Sequence, residues 1–533
     1  MIYFYSIAFM KHLFLSILLL TFLLPLRGQE SESASYPIRP LDSLSYKIEM
    51  QASLSKNKTP LWLNANKYGL SSLDETNGYV RAAVERSTDN MENRRWGLGY
   101  GLDVAVATGY TSTAIIQQAY AELRWLRGTL TVGSKEMPLE LKNSVLSSGS
   151  QTLGMNARPV PQVRLALADY WPLPFGNNWL HIKGHIAFGK TTDDKWQKDF
   201  THQQSKYTEG ALFHSKAGFL KIGNSDKFFP LSLEMGLEMA TQFGGTMYTL
   251  QPDGSMLALK GERGIKAFWN AFWPGGSDVT ETTYQNVEGN QLGSWMLRVN
   301  WESDSWVAGV YIDKYFEDHS SMFQLDYDGY GEGDEWQEKL KRRYLLYDFK
   351  DWMLGFDLHF KYDRWINDIV FEYLYSKYQS GPIYHDHTRT IADHIGGIDN
   401  YYNHYLYTGW QHWGMGIGNA LYRSPIYNDD GQIMFKDNRF LAFHFGIAGH
   451  PNKHFNYRFM SSYQEGLGTY ALPYTKKHHN VSLLLEAGWN FTHGFLRGFS
   501  IRGSAGADFG GILGNNQGFQ LTIAKKGFLG KTD

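Results

Sequence analysis

The stretch Trp96-Gly97-Leu98-Gly99-Tyr100-Gly101-Leu102-Asp103-Val104-Ala105-Val106 decides the fold. In an extended chain Trp96, Leu98, Tyr100, Leu102, Val104 and Val106 share one side. Gly97, Gly99, Gly101, Asp103 and Ala105 share the other. Successive side chains of a strand point to opposite faces, so this period of two marks a strand with one large apolar face and one tiny or polar face. The pattern recurs where Leu180, Ile182, Gly184, Ile186 and Phe188 alternate with His181, Lys183 and His185. It recurs again where Leu231, Leu233, Met235, Leu237 and Met239 alternate with Ser232, Glu234, Gly236 and Glu238, and where Phe519, Leu521 and Ile523 alternate with Gln520, Thr522 and Ala524. In a soluble sandwich the apolar face meets a second sheet. In an outer-membrane barrel it meets lipid, and the polar face meets a wet or plugged lumen. Segment length separates the two. Many of these segments last about 10–15 residues, against ~5–6 for an ordinary strand and ~9–11 for a transmembrane one.

The same pattern predicts strands near 45–54, 78–88, 94–107, 111–124, 127–134, 162–171, 178–189, 207–221, 229–243, 292–302, 304–314, 351–362, 365–377, 437–449, 453–465, 480–491, 495–508 and 516–525. That is eighteen, and a bacterial barrel requires an even number. From the fifth strand on, each connector after an odd-numbered strand is longer than the next. The long ones are 135–161, 190–206, 244–291, 315–350 and 378–436, while 303, 363–364 and 450–452 are short. Long outer loops alternating with short periplasmic turns are the pattern of such barrels. Segment 406–416 also reads as a strand, and counting it would break parity and alternation. Tyr46, Tyr79, Trp125, Trp171, Trp306, Trp352 and Trp365 at strand ends suit interfacial girdles. Eighteen strands enclose more space than side chains fill, so the lumen is a channel or is plugged by loops, 378–436 being the natural plug. The expected fold is therefore all-β, a transmembrane antiparallel barrel of about eighteen strands with a partly plugged lumen.

Composition agrees. The 533 residues are 16% aromatic and include 55 glycines but no cysteine. That excludes disulfides, cysteine-ligated zinc, iron–sulfur clusters and a lipidated N-terminal cysteine. A formal charge of −2 argues against a nucleic-acid partner. Lys11 and His12 precede the apolar run Leu13–Leu26 and small Gly28, which reads as a secretory signal peptide over 1–28, with Met10 an alternative start. The run is too short for a membrane anchor, which needs ~20 residues. Residues 29–533 are then the barrel domain with its long outer loops.

Five motifs follow in order: Pro60-Leu61-Trp62-Leu63-Asn64-Ala65-Asn66 with Tyr68-Gly69-Leu70; Gly154-Met155-Asn156-Ala157-Arg158-Pro159-Val160-Pro161-Gln162; Gln379-Ser380-Gly381-Pro382 with Tyr384-His385-Asp386; Gly397-Ile398-Asp399-Asn400-Tyr401-Tyr402-Asn403; and Thr408-Gly409-Trp410-Gln411-His412. Together they resemble the capsule assembly Wzi family of outer-membrane proteins over nearly the whole mature chain. The resemblance implies an eighteen-stranded barrel. It also implies a lectin-like, non-enzymatic role in anchoring or assembling capsular or other surface polysaccharide at the outer membrane, next to polysaccharide export machinery.

The residues supply matching chemistry. Segment 378–436 interleaves Tyr384, Tyr401, Tyr402, Tyr405, Tyr407, Trp410, Trp413, Tyr422 and Tyr427 with Asp386, Asp399, Asn400, Asn403, His404 and Gln411. Tyr and Trp offer a flat apolar face with a polar tip, and amides and carboxylates offer paired donors and acceptors, as a polyhydroxylated ring requires. A self-packed plug would use the same aromatics as core. Arg158, in a loop stiffened by Pro159 and Pro161, and Arg164 suit uronate or phosphate groups of an acidic polymer, or lumenal salt bridges. The expected polysaccharide contacts are Trp62, Arg158, Arg164, Tyr384, Asp386, Asp399, Asn400, Tyr401, Tyr402, Asn403, Trp410 and Gln411. No cofactor or metal is expected. His385, Asp386, His387 and His394 follow no zinc pattern, and the acidic run 326–335 has Tyr330 and Gln337 where a calcium loop needs carboxylate or amide and Glu. No G-x-S-x-G occurs. A porin-like channel for small solutes is the alternative function, and a surface hydrolase a more distant one. If the alternating face meets lipid, Leu233→Arg costs ~2–4 kcal/mol near the midplane; unfolding in urea from lipid vesicles measures it, and a negligible change means a water-facing strand.

Overall fold

Which face of each strand is covered decides between sandwich and barrel. The computed structural model describes residues 44–529 apart from 89–94, 228, 274–288, 318–323, 328–329, 346–349 and 363; the segment 1–28 read as a signal peptide lies outside them. In the strand Trp96–Thr108 the small face is buried and the large one bare: Leu102 is 50% exposed and Val106 65%, while Asp103 is 3% exposed and Ala105 3%. Ile48, Met50, Val80, Ile116, Val132, Val163, Val310, Phe371, Leu485 and Leu521 repeat this around the wall. A water-soluble protein does not present such a continuous apolar band; an outer-membrane barrel does.

Eighteen strands form the wall: β1 Leu44–Lys56, β2 Thr76–Arg86, β3 Trp96–Thr108, β4 Ala114–Trp125, β5 Gly128–Ser134, β6 Gln162–Pro172, β7 Leu180–Lys190, β8 Leu212–Ile222, β9 Leu231–Phe243, β10 Asn290–Glu302, β11 Trp306–Glu317, β12 Trp352–Phe360, β13 Asp368–Tyr375, β14 Phe440–Gly449, β15 Phe455–Gly468, β16 Pro473–Asn490, β17 Phe499–Gly510 and β18 Asn516–Leu529. Each pairs antiparallel with its neighbours in sequence, and β1 also pairs with β18 from Leu44↔Leu529 to Lys56↔Gln517, which closes the sheet. The fold is an all-β, closed, antiparallel eighteen-stranded barrel, as the alternation predicts. No helix among the described residues is long and apolar enough to cross a membrane, so the wall crosses, if at all, by strands.

Three details differ from the sequence reading, while the omission of 406–416 from the eighteen strands agrees with it. The expected strand 207–221 is broken at Gly210 (φ +62°); β8 starts at Leu212, and Tyr207–Glu209 joins Thr246–Leu250 and Met256–Lys260 in a small sheet outside the wall. β16 begins at Pro473, well before 480. Segment 406–416 contributes only a two-by-two hairpin, Gln411–His412 with Met415–Gly416, so it adds no wall strand. Tyr79 is not a girdle residue: it points inward, 8% exposed, and its hydroxyl donates to Glu49 at 2.8 Å.

Three connectors from one end of the barrel fold into its lumen: 57–75, with a one-turn helix Leu61–Asn64; 135–161; and 399–439. Their apolar side chains merge with inward wall residues into one buried cluster, from Trp62 and Leu63 through Leu146 to Trp410, Tyr422 and Phe435. Inward carboxylates of the wall receive backbone N–H groups of this plug. Leu153 donates to Glu238 at 3.0 Å, Gln151 to Asp313 at 3.1 Å, Tyr402 to Glu317 at 2.5 Å, Ser148 to Glu372 at 2.8 Å and Leu61 to Asp508 at 3.1 Å. Asp313 also pairs with Lys142 of the plug at 2.7 Å, both side chains fully buried. Removing the cation strands the carboxylate: Lys142→Met lowers stability by about 3–5 kcal/mol, and adding Asp313→Asn restores part of it, because a buried unpaired charge is the main cost. Urea unfolding of the refolded barrel checks both; an equal loss in the single and double variants rejects the account.

Candidate functional site

The first, second and last of the quoted motifs meet inside the barrel, His412 Nδ1 lying 2.7 Å from the Arg158 carbonyl. Tyr68 and Gly69 donate backbone bonds to Met155 and Asn156 at 2.7 and 3.0 Å. Gly154 donates to Ile417 at 2.9 Å, and Asn156 Nδ2 to the Gly416 carbonyl at 3.2 Å. The middle segment thus bridges the other two. Close approach explains the glycines at these crossings: a Cβ on Gly69 (φ +70°) would collide with the Arg158 backbone, one on Gly154 with the Gly418 carbonyl, and one on Gly418 with the Tyr402 hydroxyl.

This packing divides the expected contact residues. Tyr401, Tyr402 and Trp410 are fully buried. The Tyr402 ring packs on Tyr422 (centroids 4.2 Å), Phe435 (5.1 Å) and Tyr315 (5.5 Å). Its hydroxyl donates to the Gln151 carbonyl, and Trp410 Nε1 donates to Thr152 at 2.8 Å. Trp62, 2% exposed, lies against His444 and donates to Ser462 at 3.1 Å. Gln411 is spent on Thr408 and the Gly414 N–H. Burial gives these five a packing role, the self-packed alternative of the sequence reading. Arg158 is 7% exposed with its guanidinium 4.1 Å over the Trp413 ring, and its Nε and Nη2 have no hydrogen-bond partner among the described residues. Desolvation lowers its pKa to about 10. Arg164 lies apart from it on the inner wall, opposite Thr131 of β5. Tyr384 and Asp386 fall on a hairpin, Ser380–Thr388 with Ile391–Ile398, and their side chains lie outside the described part, as do those of His385, His387 and His394. No group of three or more metal-ligating side chains occurs among the described residues.

Asp399, Asn400 and Asn403 come together at the mouth of the barrel. They line a cavity of about 530 Å³ over the plug, with Lys206, Tyr405 and Gln432. Asn403 Nδ2 donates to Asn400 Oδ1 and to the Phe435 carbonyl, each at 2.9 Å, so the amide pair is held rigid from below. Tyr405 stands 79% exposed on the rim. Its loop is fixed by Lys206, whose ammonium donates to the carbonyls of His404 and Tyr405. It is also fixed by His404 Nδ1, which accepts the N–H of Leu406 (3.0 Å) and Tyr407 (3.1 Å). Burial lowers the Lys206 ammonium to about 8 and, with Lys206 beside it, the His404 imidazole to about 3, so His404 is a neutral acceptor at physiological pH. Fixed amides, a carboxylate, an ammonium and a bare aromatic face on one cavity can grip a hydroxyl-rich ring. Lys206 and Gln432 carry no signal in the sequence, and nothing there separates Tyr405 from its aromatic neighbours.

No family model matches the sequence, and no curated protein matches it. Among solved structures the chain is similar to Wzi of Escherichia coli, described as an outer-membrane protein involved in group 1 capsule assembly and a carbohydrate-binding β-barrel. Identity is 12% and the TM-score 0.52, over 91% of this chain and 85% of that one. OccD3 and OprD of Pseudomonas aeruginosa match at 9% identity, with TM-scores of 0.42 and 0.40 over 91% and 92% of this chain and 90% and 96% of theirs. At 12% identity the likeness to Wzi is one of fold.

Where the plug rejoins the wall, burial raises the Asp437 carboxyl to about 7, against weaker lowering by the Gly468 N–H and Arg423. The folded state therefore holds a proton that the unfolded chain releases near pH 4. Stability from this group is present below that pH and falls as pH rises through about 7. Urea midpoints between pH 5 and 8 decline in the wild type and less steeply in Asp437→Asn; parallel slopes refute the assignment.

Proposed function

We propose that this chain is an outer-membrane protein, exported by a signal peptide over 1–28, whose domain 29–533 holds capsular or other extracellular polysaccharide at the cell surface without chemically altering it. The observation that carries the reading is the mouth cavity: an exposed Tyr405 ring beside the fixed amides of Asn400 and Asn403, Asp399 and Lys206, at the end of the barrel where the long connectors gather. A ring and convergent hydrogen-bonding groups on a preorganised floor suit a sugar.

The filled lumen supports a holding role over a solute path. The buried cluster runs from Trp62 on one connector to Trp410 on another and reaches wall residues such as Leu292, Val370 and Leu484. Within this reading Asp399, Asn400 and Asn403 touch the glycan. Trp62, Tyr401, Tyr402, Trp410 and Gln411 shape the floor beneath it. Arg158 and Arg164 supply positive charge below an acidic polymer, and Tyr384 and Asp386 sit on the neighbouring hairpin. Export machinery that delivers the polymer would meet the same barrel.

Deleting the gene should move polymer from washed cells to the medium with total synthesis unchanged. Tyr405→Ala should leave the heat-modifiable barrel intact and weaken glycan binding by about 0.5–1.5 kcal/mol, the scale of one ring contact. Unchanged retention in both strains, or open-channel conductance of the wild type in a planar bilayer, counts against the proposal.

A further inference from the structure

After β9 the chain leaves the mouth and turns back down the outside of the barrel. The helix Ile265–Phe272 buries Ala267 and Ala271, with Phe268, against Phe243, Leu212 and Phe188. All three point outward, as their neighbours of opposite parity show. Lys183 of β7 pairs with Glu140 of the plug, Phe213 of β8 stacks on Trp410, and Glu238 of β9 receives Leu153. The helix therefore lies on the outer face of the wall. Lys216, also outward, donates to the Phe272 carbonyl at its C-terminal end.

The other side of this helix is bare and apolar. Ile265 is 90% exposed, Trp269 54% and Trp273 53%, spaced four apart in one stripe. A helix facing water carries polar residues on that side. Around the stripe Lys260, Arg263 and Lys266 are exposed, against one acid, Glu262. Its height on the barrel is informative. An apolar band about 25 Å tall, crossed at a tilt of roughly 40° and 3.3 Å per residue, takes about ten residues. Counted from exposed Leu231, that ends near Thr241, which is 2% exposed beside buried Met239 and Phe243. The stripe thus continues the lipid-facing belt at its outer boundary, where an amphipathic helix with Trp on one face and basic residues around it settles between headgroups and acyl chains.

We propose that the helix Ile265–Phe272 is a lipid-docking foot: Ile265, Trp269 and Trp273 enter the outer leaflet, and Lys260, Arg263 and Lys266 pair with phosphates of its lipid headgroups. The proposal rests on the outer-membrane reading but not on polysaccharide binding. Because the chain has no cysteine, single-cysteine variants can be spin-labelled in the full-length protein. The set is Ile265→Cys, Trp269→Cys, Leu102→Cys on the belt and Asp253→Cys on the exposed hairpin turn, in phosphatidylcholine vesicles with and without lipid A. Labels at 265 and 269 should collide preferentially with dissolved oxygen, like the label at 102, and the label at 253 with a water-soluble nickel chelate. Arg263→Glu with Lys266→Glu should move the 265 label toward water in lipid A vesicles and not in phosphatidylcholine alone. If 265 and 269 behave like 253 while 102 reports lipid, the foot is refuted and the barrel stands. If 102 also reports water, the membrane reading fails with it. Spin–spin broadening at 265 in lipid-diluted vesicles would assign the stripe to a second copy of the chain, and an equal response to both vesicles would refute pairing with the net-anionic phosphates that lipid A carries and phosphatidylcholine lacks.

Discussion

A strand edge has nowhere to place its N–H and C=O groups once water is gone. The pairing of β1 with β18 removes the last edge, and the rest of the architecture depends on it. Closure in an antiparallel sheet calls for an even number of strands, returns both ends of the wall to one rim and sends the long connectors to the other. It also turns the usual protein inside out. Large side chains such as Leu102 and Val106 face away from the molecule, while glycines, Asp103 and Ala105 face its axis. That choice leaves a polar interior wide enough to need filling.

The filling is specified by polar groups more than by apolar ones. Glu238, Asp313, Glu317, Glu372 and Asp508 stand on inward positions of four strands and each receives an N–H of the plug. A buried carboxylate without partners is costly, and so is a buried orphan N–H, so the two needs cancel only when a connector lies in one place. The aromatic cluster around Tyr402 then packs on a backbone already positioned. The mouth cavity inherits this rigidity, because Asn400 and Asn403 are tied to Asn438 and Phe435 at the top of the same plug.

Much of the wall was legible from the residues alone. Each of the eighteen expected strands has a counterpart, because alternation is local and every wall strand must show it. The misreadings fall where a local pattern has two solutions. Gly210 lets the chain turn out of the sheet before β8 although 207–221 alternates acceptably. Tyr79 looks like a girdle aromatic by its place near a strand end, but it alternates with exposed Val80, so the pleat turns it inward, where Glu49 accepts its hydroxyl. The site was legible only in part. The aromatic and amide content of 378–436 identified the segment, but period and composition do not tell a ring that packs, such as Tyr402, from one that stands free, such as Tyr405.

The sequence by itself determined the wall: eighteen strands and the outward-facing side of each, carried by spacings within about a dozen residues, whereas the alternation of connector length fails at β15–β16, where 469–472 is shorter than 491–498. Only the tertiary structure decided which connectors enter the lumen, which five expected contact residues become its core, and that another connector lays a helix on the outer wall. Those outcomes depend on pairs such as Tyr402 with Gln151, 251 residues apart, and Lys142 with Asp313, 171 apart. No local pattern encodes such pairs, because burial of a polar group is set by the partner that meets it in space.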